Sequence, residues 1–146
     1  MSEVLTEEAS YKMLYMLRSV VDGGTASRLR YRYNITAQMG GKTGTTQNNS
    51  DGWFMGFTPS LVAGCWIGGE DRSIHFDRLN EGQGASMALP IYGLFMQKVY
   101  ADKSLGYMEN ENFEIPSIYS NPCGKPVSEE NNNTPEKSEG IDDIFK

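Results

Sequence analysis

Seven consecutive residues, Gly40-Gly41-Lys42-Thr43-Gly44-Thr45-Thr46, bring together one cation, three hydroxyls and three glycines. A lysine set between glycines and threonines can meet an anionic group with a charge and several hydrogen bonds. Gly44 leaves the main chain bare, so a ligand can approach it closely. A phosphate-binding P-loop ends in the same Gly-Lys-Thr but needs a glycine at position 36, where this chain has Thr36. That chemistry is excluded. The plain alternative is a glycine-rich strand with an exposed lysine, and the neighbouring elements must decide.

Upstream, Thr6-Glu7-Glu8 reads as a helix start, a threonine cap followed by carboxylates that the helix dipole favours. Ala9, Met13, Met16, Leu17 and Val20 fall at helical spacing and are expected to face the core, and Gly23-Gly24 ends the helix. Thr25 can cap a short helical turn over residues 26–30. Arg28, Arg30 and Arg32 alternate with Leu29, Tyr31 and Tyr33, a pattern that can stack on nucleic acid or glycan. A solvated loop is the favoured reading of these arginines. Residues 37–47 read as a first strand, 48–52 as a turn, 53–58 as a second strand and 61–68 as a third. The third is apolar on both faces and is expected to be covered on both. Short connections favour antiparallel pairing, and Gly56 and Gly64 suggest close approach of other groups. A polar connection over 69–85 holds the single histidine, His75, which has no identifiable partner. Pro90 then opens a second helix with Ile91, Leu94, Phe95 and Val99 on one stripe. The expected fold class is α+β, three antiparallel strands flanked by N- and C-terminal helices. The face beside Lys42 has nothing obvious in the chain to cover it.

Residues 1–108 carry ten acidic and ten basic side chains, whereas 109–146 carry nine and three, so the tail holds the whole net charge of −6. A neutral body and an acidic tail give no electrostatic reason to bind nucleic acid or an anionic membrane. The tail, rich in Asn, Glu, Ser and Pro, is expected to be disordered, docking briefly through Phe113, Ile115 and Tyr119. Cys65 and Cys123 have no metal-site spacing and no disulfide framework. No apolar run reaches membrane-spanning length, and Met1-Ser2-Glu3 does not begin a signal peptide.

Taken in order, three stretches resemble the C-terminal portion of class A penicillin-binding protein transpeptidase domains. They are Gly41-Lys42-Thr43-Gly44-Thr45-Thr46, Asp51-Gly52-Trp53-Phe54-Met55-Gly56-Phe57-Thr58-Pro59 and Leu61-Val62-Ala63-Gly64-Cys65-Trp66-Ile67-Gly68. The similarity reaches back to Leu17-Arg18-Ser19-Val20-Val21 and Gly24-Thr25-Ala26, and forward to Ala88-Leu89-Pro90-Ile91-Tyr92. It implies a partial β-lactamase/transpeptidase-like fold over residues 1–108, with 109–146 as a tail outside it. It also implies a serine acyltransferase that crosslinks peptidoglycan stem peptides and is acylated by β-lactams, with no metal or organic cofactor. By the same resemblance Lys42 supplies positive potential and Thr43 and Thr45 bind a terminal carboxylate with their hydroxyls. The Thr45 N–H is one oxyanion donor, and Gly44 leaves room for the ligand. Lys42 and Thr45 are thus the catalytic candidates, and 42–45 the substrate-binding stretch.

One departure is large. No serine is followed by lysine three residues on, and no Ser-x-Asn occurs, Ser120 and Asn121 being adjacent and in the tail. The nucleophile, base and glycan-polymerising domain are therefore expected upstream, with the parent anchored in the inner membrane and this region on its periplasmic side. Alone the chain is expected to be inactive, and its exposed edges would allow association with a second copy. A β-lactamase or D-Ala-D-Ala carboxypeptidase fragment shares Lys-Thr-Gly, and a non-catalytic carboxylate- or β-lactam-binding module fits the missing serine.

Overall fold

In the computed structural model, residues 4–116 are described. The expectations for Tyr119, Cys123 and the tail beyond residue 116 lie outside them. The elements are α1 (Glu7–Asp22), α2 (Arg28–Tyr31), β1 (Gly40–Thr45), β2 (Asp51–Phe57), β3 (Val62–Gly68), α3 (Leu79–Gly82) and α4 (Ala88–Ala101). The three strands form one antiparallel sheet in the order β1-β2-β3. The α+β fold with flanking helices is the one the sequence predicts.

Thr6 caps α1 by accepting the Ala9 N–H at 3.2 Å, and the Gly23 N–H closes it on the Ser19 carbonyl. The inward stripe, however, is only in part the expected one, with Val20 packed against the core. Tyr11 and Val21 are buried, while Met13 and Met16 are about half exposed. The helix lies on β1 through the stripe one residue round, which leaves its methionines without a layer to pack on among the described residues. On α4 Val99 is buried as expected, but the rest of the stripe is not the expected one. Leu89, Tyr92, Met96 and Val99 are buried, and Ile91, Leu94 and Phe95 point outward. Both stripes of α4 are apolar, so periodicity alone could not choose between them.

The core sits between the helices and one face of the sheet, around Val21, Leu29, Met39, Phe54, Leu89 and Met96. Gly56 makes this packing possible. A Cβ there would lie 2.5 Å from the Tyr92 ring, which stacks edge-on against Phe54 at 4.8 Å. Arg28 and Arg30 are half-buried and not solvated as expected. Arg30 donates to the Ile35 and Ala37 carbonyls at 2.9 and 2.7 Å and pairs with Asp22.

The opposite face is open. Trp53 and Trp66 are each 46% exposed and Val62 70%, so β3 is not covered on both sides. The cover its composition calls for is not among these residues. Contacts with the body continue past residue 108. Glu109 accepts from the Thr36 N–H and hydroxyl at 3.1 and 2.6 Å, Glu111 from Ser60, and Phe113 meets the Phe57 ring at 5.9 Å. Ile115 is 62% exposed.

These carboxylates and burial act on Tyr100, whose phenol is pushed from 10.0 up to about 12, mainly by burial and then by Glu109 and Glu111. The folded phenol keeps its proton to higher pH than the unfolded one. Its stabilising contribution is therefore complete below pH 10 and lost as pH rises to about 12. Urea unfolding at pH 8 and pH 11.5 should show a drop in midpoint, and Tyr100→Phe should show a smaller one.

Candidate functional site

β1 is an edge strand, so every second main-chain group points away from the sheet. The phase is set at the hairpin, where the Thr46 N–H donates to the Asp51 carbonyl at 3.1 Å. Alternation then turns the main chain of Lys42 and Gly44 towards β2, and that of Thr43 and Thr45 towards the free edge. Side chains alternate across the other axis. Lys42 pairs with Met55, which pairs with Gly64, and Gly44 with Trp53, which pairs with Trp66. These positions share the open face. Thr43 and Thr45 turn to the helix side.

Lys42 is exposed, and its ammonium donates at 2.9 Å to the neighbouring Thr43 carbonyl. Met55 lies across Gly64 beside it, where a Cβ would meet the Met55 sulfur. The rings of Trp53 and Trp66 sit 6.5 Å apart further along the same face. A cation therefore stands at the rim of an exposed apolar surface.

Both threonine hydroxyls have contacts from outside the strand. Thr43 Oγ1 is 3.4 Å from Thr25 Oγ1, and Thr45 Oγ1 accepts the Gly84 N–H at 3.0 Å. Nothing in the spacing of the sequence links Thr25 or Gly84 to the strand. The one signal in the sequence is the Gly82-Gln83-Gly84 run just before a helix.

Gly44 differs from the other sheet glycines. A Cβ at Gly41 would strike the Phe54 ring at 2.7 Å, and one at Gly52 the Met87 side chain at 2.8 Å. At Gly44 it would make only an ordinary contact, 3.4 Å to Trp53 Cβ. Internal packing does not require a glycine there.

His75 is exposed, with Nδ1 3.3 Å from the Phe76 carbonyl oxygen, and lines a groove of about 340 Å³ with Ile67, Ile74, Phe76 and Met87. Among the described residues no group of three or more His, Cys, Asp or Glu is placed to hold a metal ion. Burial pushes the thiol of Cys65 up from its ordinary value. None of the described helices is long and apolar enough to cross a membrane.

No family model matches the chain. It is 37% identical over 114 residues to penicillin-binding protein 1A of Aquifex aeolicus, covering 78% of this chain and 14% of that protein. It is 37% identical over 101 residues to penicillin-binding protein 1A of Rickettsia bellii, covering 68% and 12%. The crystal structure of penicillin-binding protein 1A from Haemophilus influenzae superposes with a TM-score of 0.63 at 26% identity, over 78% of this chain and 17% of that one. The chain thus spans a small part of the length of the relatives it matches.

Because Lys42 and Gly44 serve no internal packing role, Lys42→Ala and Gly44→Ala should each leave the unfolding free energy within about 0.5 kcal/mol of wild type. Gly52→Ala, whose Cβ has nowhere to go, should lower it by about 1–3 kcal/mol. Chemical denaturation followed by tryptophan fluorescence measures all three.

Proposed function

Since the chain belongs to the penicillin-binding proteins by sequence and by fold, we propose that it is the C-terminal part of a peptidoglycan D,D-transpeptidase and forms one wall of its acylation site. The observation that carries this reading is the free edge of β1. There the Thr45 N–H points out of the sheet, Lys42 stands alongside, and Gly44 is a glycine that the interior does not need.

In this reading a β-lactam or the terminal D-Ala-D-Ala of a stem peptide lies along the edge. The carboxylate meets the positive potential of Lys42 and the hydroxyls of Thr43 and Thr45. The attacked carbonyl oxygen points at the Thr45 N–H, which is fixed by the ladder and needs no reorganisation as negative charge develops. The nucleophilic serine and its base come from a segment outside these residues. It seats on the open face of Trp53, Met55 and Trp66, and its hydroxyl is oriented near the Lys42 ammonium. The region works on the periplasmic side of the inner membrane, and residues 1–108 form the catalytic-domain portion.

One second reading is a carboxylate- or β-lactam-binding module without turnover, which the same edge of β1 would serve. Labelling the full-length protein with a fluorescent penicillin separates the two. Wild type should label covalently, Lys42→Ala should label at least about a hundredfold more slowly, and the 146-residue chain alone should stay dark. A parent that binds the probe reversibly but never covalently would leave the module as the answer.

A further inference from the structure

Gly84 joins three parts of the molecule through its main chain. Its N–H donates to Thr45 Oγ1 at 3.0 Å, and its carbonyl accepts the Ala88 and Leu89 N–H groups, both at 3.0 Å, at the start of α4. Its Cα rests on the β1–β2 hairpin, so that a Cβ would lie 2.4 Å from the Trp53 carbonyl oxygen and 2.5 Å from that of Gly44. One residue on, the Ala85 carbonyl accepts from Arg28 Nη1 at 3.2 Å. The half-buried Arg28 thereby ties the loop to α2 from the far side.

A threonine hydroxyl has one proton to give and two lone pairs. At Thr45 the Gly84 amide takes a lone pair and strengthens the O–H as a donor. Its proton is then left for an outside acceptor. Resting on the transpeptidase reading, we infer that Gly84 and Arg28 are positioning residues, which hold the Thr45 hydroxyl where it donates to the ligand's carboxylate. Arg28 acts through the Ala85 carbonyl and Gly84 through its own N–H, and neither touches the ligand. With one lone pair taken by the Gly84 amide the hydroxyl keeps its proton to give, and an anionic acceptor at the β1 edge takes the stronger hydrogen bond.

No side chain fits at position 84, so substitution there would test folding only. Arg28→Met reaches the loop from outside. In the full-length protein, acylation by a penicillin and by its methyl ester should be compared for wild type, Arg28→Met, Thr45→Val and the double variant. The amide exchange of Gly84 should be followed in the 146-residue chain. Arg28→Met should slow acylation by the carboxylate form about tenfold and leave the ester unchanged. It should also speed exchange at Gly84 without changing the core amides, and add nothing on top of Thr45→Val. Equal losses with both compounds, or a full Arg28→Met effect in the Thr45→Val background, would overturn the inference. A wild-type protein that neither compound acylates would overturn the transpeptidase reading itself, and that failure shows before any variant is compared.

Discussion

The direction of each main-chain amide in β1 is the constraint on which the rest of the site depends. The hairpin hydrogen bond from the Thr46 N–H to the Asp51 carbonyl shows the ladder's phase. A shift of one residue would turn the Thr45 amide into the sheet and carry Lys42 to the helix side. The register is held because the helix-side positions of β1 and β2 are already committed. Gly41 lies under the Phe54 ring, and Gly52 lies against Met87 and the Gly84 backbone. Packing on one face of the sheet thus decides which chemical groups the edge presents.

The two faces are treated very differently. On one, the helices bury Phe54 and Tyr92 completely enough to push the Tyr92 phenol above its ordinary range, chiefly through desolvation. On the other, two tryptophans and a methionine remain about half exposed. A groove of about 180 Å³ between β3 and α4, lined by Ala63, Cys65, Ile91 and Phe95, continues this unfinished apolar surface round the β3 edge. A sheet so apolar on its open side suits a chain whose relatives are several times its matched length.

Much of this was legible in the residues. Alternation placed Lys42 and Gly44 on one side of a strand and the threonines on the other, and glycine-interrupted apolar runs gave the sheet. The choice of inward stripe was not legible. Helices α1 and α4 carry apolar residues beyond the face they bury, and only the sheet's position selects Tyr11 over Met13 and Tyr92 over Ile91. Arg28 and Arg30 looked like loop cations because their acceptors are main-chain carbonyls, which leave no mark in a sequence. Gly84 went unlinked to Thr45 for the same reason, since both its roles are played by its backbone.

The most direct test of the β1 edge as the acylation site is a crystal structure of the full-length protein acylated by a penicillin. The acyl carbonyl oxygen should lie within about 3 Å of the Thr45 N, with the carboxylate on the hydroxyls of Thr43 and Thr45 and the serine-bearing segment seated against Trp53 and Trp66. An acyl group bound away from the β1 edge, or an edge taken up by strand pairing with another segment, would contradict it.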